Sequence, residues 1–213
     1  VKNAKINYKP PASWPRVTEI IGDVVPDPGL ERMKSHDPVS LEGYAENGKL
    51  YHSWAEKIAH GKFPGVTSPE FVALRSSDPE MADAVRELMV WFGANVEEVI
   101  FAEREVWSIA YGYRGTLDLI AKLNGTSGLV EIDHKRRKSV GRQGKLQTAG
   151  YSKASYEMGL IKGPVRRALL LNPRGVNKPS LEWIDSKGKS TLDTDTNAFL
   201  CAVTLYHWKK ANQ

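Results

Sequence analysis

The sequence predicts an α/β (α+β) fold in which a mixed central sheet is flanked by helices. Short β-favouring runs lie between longer stretches whose apolar residues recur at helical spacing. After a proline-rich start the segments read in the order α, α, β, β, β, α, β, β, α. At 213 residues the chain can bury one sizeable core and is short for two. Two regions are expected, an N-terminal arm over residues 1–30 and a single domain over residues 31–213, with no internal repeat in either.

The arm carries Pro10, Pro11, Pro15, Pro26 and Pro28, which break regular structure and suit a segment laid over the domain surface. Within it, residues 14–21 read as a short helix with Thr18 at or near its cap. Residues 41–60 form a helical pattern with Leu50, Trp54 and Ile58 at helical spacing, and His52 and Glu56, four apart, share a face. Residues 78–92 form another, with a buried stripe of Met81, Val85, Leu88 and Met89 and with Pro79 placed early, where its missing donor costs little. Residues 97–109 enter the sheet, with Glu103, Glu105 and Trp107 on one face and Val106 on the other. Residues 116–121 and 129–135 are apolar and β-favouring. The turn Asn124-Gly125-Thr126-Ser127-Gly128 between them makes the pair a hairpin. A helix over residues 147–158 follows, with Gln147, Tyr151 and Ala154 along one side. Residues 168–171 and 181–184 are short strands, and residues 197–210 close the chain as a helix with Leu200, Val203, Leu205 and Tyr206 inward.

The hairpin carries the chemistry. Alternation puts Glu131, Asp133 and Lys135 on one face of their strand and Val130 and Ile132 on the other. A register that pairs Leu123 with Gly128 sets Asp118 opposite Asp133 on that charged face. Several ionisable groups on otherwise apolar strands are costly unless compensated. A divalent cation would compensate them, since neighbouring carboxylates are hard oxygen donors and the backbone carbonyl of His134 lies beside them. Lys135 would then orient a water and offset charge building on a phosphate. The same pattern also fits a surface ladder of ion pairs with Asp118 and Asp133 outward.

The net charge of +5 hides an asymmetry. Between His134 and Lys178 stand twelve Lys or Arg and one acid, Glu157, a local charge of +11, so the remainder is −6. Such a run directly after candidate metal ligands is the electrostatic footprint of a polyanion, with DNA the expected partner. Arg136, Arg137, Lys138, Arg142, Lys145 and Lys153 are the candidate phosphate contacts, and a solvated basic face is the alternative. The single cysteine, Cys201, sits in an apolar helical run and is expected to be buried. One cysteine cannot support a disulfide framework, a cysteine-rich zinc site or an iron–sulfur cluster. No window approaches the roughly 18 apolar residues of a membrane span and no secretory leader is visible. The expected setting is therefore cytoplasm, nucleoid or virus-infected cell. The six tryptophans are expected mostly in the core, with Trp14 and Trp107 the candidates for exposure.

Read together, these segments resemble the PD-(D/E)XK nuclease superfamily and, within it, the RecB-like exonuclease branch with its mitochondrial and phage members. The resemblance spans roughly residues 15–210. Arg16-Val17-Thr18-Glu19-Ile20-Ile21 is similar to the branch's N-terminal S-V-T-x-(I/V)-L segment, and Gly48 to Glu56 to its helix bearing a metal-binding His after a Gly. Glu103-Arg104-Glu105-Val106 resembles the strand leading into the site, Gly115 to Asp118 the G-x-x-D motif, Asp133 to Lys135 the D-x-K motif, and Gln147 to Tyr151 the Q-x-x-x-Y motif. The family carries Thr or Ser after its lysine, where this chain has Arg136.

The resemblance implies a restriction-endonuclease-like fold and a DNA exonuclease using one or two Mg²⁺ or Mn²⁺ ions. His52, Asp118, Asp133 and the His134 carbonyl would hold the metal, and the imidazole makes Mn²⁺ a credible substitute. Lys135 would position the attacking water and Glu105 would support the site. Gln147 and Tyr151 would fix the site or the nucleic acid, and Arg136, Arg137 and Lys138 would grip phosphates. The implied substrate is a DNA end, single-stranded in the cleft, in recombination, repair or replication alongside a partner protein. A structure-specific or nicking endonuclease and a catalytically idle DNA-binding subunit are the other readings. The chain lacks a G-x-x-x-x-G-K-[ST] loop, so ATP-driven unwinding would fall to a partner.

Overall fold

The computed structural model describes residues 8–36, 38–163, 165–176, 178–185 and 190–213, so the first seven residues of the expected arm lie outside it. The described elements are α1 (Val17–Val24), α2 (Pro28–His36), α3 (Pro38–Ala59), α4 (Pro69–Ser77), α5 (Pro79–Asn95), β1 (Val96–Ser108), β2 (Tyr113–Leu123), β3 (Val130–Lys135), α6 (Arg142–Glu157), β4 (Arg166–Leu171), β5 (Ser180–Trp183) and α7 (Leu192–Ala211). The five strands form one sheet in the order β1-β2-β3-β4-β5. Neighbours are antiparallel except β3 and β4, which run parallel and are joined by α6. A parallel pair needs such a crossover. The mixed sheet flanked by helices matches the architecture expected from the sequence.

Each face of the sheet has its own helical layer. On one side Tyr51 and Trp54 of α3, Phe71 of α4 and Leu88 of α5 pack against Leu119, Val130, Ile132 and Leu170. On the other, Ile20 of α1, Tyr151 of α6 and Phe199 of α7 pack with Val106, Leu117 and Ile120. Leu119, Ile132 and Phe199 are fully buried. Each such side chain contributes about 1.5–3 kcal/mol relative to exposure. Since Val130 and Ile132 face the α3–α5 layer, alternation turns Glu131 and Asp133 toward α6.

Several boundaries differ from the sequence reading. The helix α4 begins where Ser68 accepts a hydrogen bond from the Phe71 N–H (3.2 Å) and Pro69 fills the first position. Asp78 caps α5 in the same way through the Met81 N–H (2.9 Å). Neither α2 nor α4 was expected. Thr18 lies inside α1, whose cap is Arg16, with the Arg16 N–H donating to Glu19 at 3.4 Å. In α7 the buried stripe is Phe199, Ala202, Val203 and Tyr206. Cys201 and Leu205 fall outside that stripe and are exposed, contrary to expectation. Of the tryptophans only Trp54 is fully in the core, while Trp14 and Trp107 are partly exposed and Trp208 is open to solvent. Among the described residues no helix is long and apolar enough to cross a membrane.

Candidate active site

The β2–β3 ladder pairs Ala121 with Val130, Ile120 with Glu131 and Leu119 with Ile132, and ends there. This is the register that sets Asp118 against Asp133. Beyond the last pair, the His134 N–H donates to the Asp118 side chain, Oδ2, at 2.7 Å. Across β1, Ala102 pairs with Leu119 and Arg104 with Leu117, so Glu103 stands opposite Asp118. Glu103 has φ of 46°, the one positive φ of a non-glycine residue among the described residues. A residue held there costs of order 1–3 kcal/mol and such outliers cluster at functional sites.

Helix α3 crosses above this point and lowers His52 into it. His52 Nδ1 lies 3.5 Å from Asp118 Oδ2 and 3.6 Å from Glu103 Oε1. The ligand atoms of His52, Glu103 and Asp118 all fall within 4.8 Å of one another. Behind them, the buried His134 ring stacks on Phe92 (6.2 Å, 15°) and meets His52 edge-on at 6.1 Å. Burial holds the His134 pKa down at about 3, so it stays neutral and adds no charge behind the site.

Asp133 is buried beside this group. Its Oδ1 accepts a hydrogen bond from Gln147 Nε2 at 2.9 Å, and Gln147 also donates to the Tyr151 hydroxyl at 3.2 Å. Its Oδ2 makes no hydrogen bond but forms an ion pair with Lys135 Nζ at 2.7 Å. With Asp118 only 8 % and Asp133 1 % exposed, the surface ion-pair ladder is excluded.

The electrostatics show a shortage of positive charge. Burial pushes Asp118 up to about 7, opposed by His52 and reinforced by Asp133. Burial alone would lower His52, but Asp118 and Glu103 outweigh it and raise the imidazole to about 9. One imidazole nitrogen and two carboxylates, those of His52, Glu103 and Asp118, form a group that could hold a metal ion, and Asp133, expected among the ligands, falls outside that group and faces Lys135 instead.

Two expected roles find no support in these positions. Glu105 lies across from Thr116, half-exposed, with Arg114 Nη1 3.6 Å away, so Glu103 and not Glu105 joins the cluster. The Arg136 guanidinium is turned inward. It donates to the Asn172 carbonyl (2.9 Å) and to Glu80 (3.0 Å) and lies 5.3 Å from the Tyr51 ring, which leaves it bound within the protein instead of free for a phosphate. The other basic residues divide. Lys138 and Arg142 are exposed, Lys145 is half-buried and Lys153 pairs with Glu157 at 3.1 Å. Arg137 lies against Gly141 and Gly144, with its Nε and Nη2 buried and unpartnered. There α6 starts without a side-chain cap and without an acid in its first turn.

Compared with models of protein families and with curated proteins, the chain matches none. The sequence reading did not assign Glu103 to the site. Strand alternation gave Glu103 and Glu105 the same face, and only the β1–β2 register distinguishes them.

Proposed function

We propose that the chain is a metal-dependent nuclease that hydrolyses DNA from its ends. The observation that carries this reading is the meeting of His52, Glu103 and Asp118 beside buried Asp133 and its partner Lys135. His52, Glu103 and Asp118 would hold Mg²⁺ or Mn²⁺, with Asp133 and the His134 carbonyl as further donors. When bound, such an ion lowers the pKa of a coordinated water and neutralises charge on the phosphate.

The chain's own residues do the positioning. Asp133 anchors the Lys135 ammonium, whose side chain is partly exposed and able to donate to a water or a phosphate oxygen. Gln147 fixes the Asp133 carboxylate, and Tyr151 accepts from the same Gln147 amide. Flanking phosphates meet the uncapped start of α6, where backbone N–H groups and Arg137, Lys138 and Arg142 attract anions.

The test is incubation with end-labelled linear single- and double-stranded DNA and a closed circle, each with Mg²⁺, Mn²⁺ or EDTA. Metal-dependent shortening of linear DNA with the circle spared is expected. A cut circle would support an endonuclease, and binding without cleavage an idle subunit. Neither binding nor cleavage would overturn the nuclease reading.

A further inference from the structure

We propose that Tyr44 and Arg174 form a stacking platform for an unpaired base of the single strand that enters the site. This rests on the nuclease reading and names where its substrate is held. Tyr44 lies on α3 two turns before His52, roughly 12 Å along the helix axis at about 1.5 Å per residue. Tyr44 keeps 50 % of its surface exposed, so its ring is open to a base.

The Arg174 guanidinium sits 4.9 Å from the Tyr44 ring centroid. Arg174 occupies the corner of a tight turn, closed by the Val176 N–H to the Pro173 carbonyl at 3.1 Å with Gly175 at φ 74°. The turn is tied down from below. Asn172 donates to the Tyr51 hydroxyl at 3.2 Å and the Gly175 N–H donates to Glu80 at 3.3 Å, while Arg136 bonds both Asn172 and Glu80. Arg136 thus braces the turn that carries Arg174 through Asn172 and Glu80. One helical turn from both Tyr44 and His52 stands Gly48, where an added Cβ would meet nothing within 4 Å. A glycine in a helix interior costs about 1 kcal/mol, and packing within the chain does not demand this one. It leaves bare backbone between an aromatic–cation pair and the metal-ligand cluster, a path suited to a flexible strand with exposed bases.

The experiment is fluorescence anisotropy in EDTA with labelled oligothymidylate and an abasic strand of equal length, which offers the same phosphates without bases. Tyr44→Ala is expected to weaken oligothymidylate binding about tenfold, the loss of one stacked base, and to leave the abasic strand unchanged. Tyr44→Phe keeps the ring and is expected to bind as wild type. Equal loss on both strands, or none, overturns the platform. If the wild type cuts linear DNA while Tyr44→Ala binds unaltered, only the platform fails. If the wild type binds neither strand, the nuclease reading fails with it.

Discussion

Tyr151 occupies the space over Gly115 so closely that a Cβ at position 115 would lie 2.5 Å from its Cε1. That relationship ties two motifs of the sequence together. The glycine three residues before Asp118 makes room for the ring whose hydroxyl receives Gln147, and Gln147 in turn holds Asp133. Gly115→Ala is therefore expected to displace Tyr151 and loosen the Asp133–Lys135 pair. Overpacking of this kind costs about 1–3 kcal/mol, measured by urea unfolding. Cleavage should fall more than folding does. Unchanged turnover in a folded Gly115→Ala variant would show that Tyr151 does not support the site.

Glu103 and Glu105 are expected to differ in their effect on metal affinity. Glu103→Gln removes a carboxylate that lies 3.6 Å from His52 Nδ1, whereas Glu105→Gln removes a partner of Arg114. Calorimetric titration with Mn²⁺ should show Glu103→Gln weakened by at least about tenfold, on the scale of lost support at metal sites, and Glu105→Gln unchanged. The reverse result would restore Glu105 to the site.

The basic segment is expected to behave as two classes. Arg136→Ala leaves Asn172 and Glu80 without their guanidinium partner, so it should cost about 1–3 kcal/mol of stability. Lys138→Ala and Arg142→Ala should leave stability unchanged and each reduce the salt dependence of DNA binding by roughly one phosphate contact. A stable Arg136→Ala variant with a reduced salt slope would return Arg136 to the phosphate contacts.

If the cluster holds a metal as proposed, metal and protons are expected to compete for it. Asp118, raised from 3.8 to about 7, gives stability that is full below 3.8 and lost as pH rises through 7. His52, raised from 6.5 to about 9, gives stability that is full below 6.5 and lost as pH rises through 9. Both signs agree, so the metal-free protein should lose melting temperature between pH 6.5 and 9. Added Mn²⁺ should restore more of it at pH 9 than at pH 6.5, because protons no longer hold the donors. Equal stabilisation at both values would place the metal elsewhere.

Much of this was legible in the sequence because local chemistry enforced it. Alternation on β3 gives the faces of Val130 and Ile132, and the observed β2–β3 register is the one in which Leu123 would pair with Gly128 across the glycine-bounded turn. What was missed depended on distant partners. The helix expected over residues 147–158 begins earlier, at Arg142, and takes in Gly144. A Cβ at Gly144 would lie 2.9 Å from Leu169 and 2.7 Å from Arg137, so close packing requires the glycine inside α6. Cys201 lies one position off the stripe of Phe199, Ala202 and Tyr206, a phase that tertiary packing sets. The start of α4 was readable in Ser68-Pro69-Glu70, a cap followed by proline at the first helical position.

The most direct measurement is single-turnover cleavage of end-labelled linear single-stranded DNA by the wild type and Asp118→Asn, in Mn²⁺ and in EDTA. Asp118→Asn keeps an acceptor for the His134 N–H while removing the charge that meets His52 and Glu103. The expected result is metal-dependent shortening by the wild type and a rate at least about a thousandfold lower for the variant, a barrier increase of roughly 4 kcal/mol. Shortening at the wild-type rate by Asp118→Asn, or none by the wild type with any divalent ion, would contradict the account.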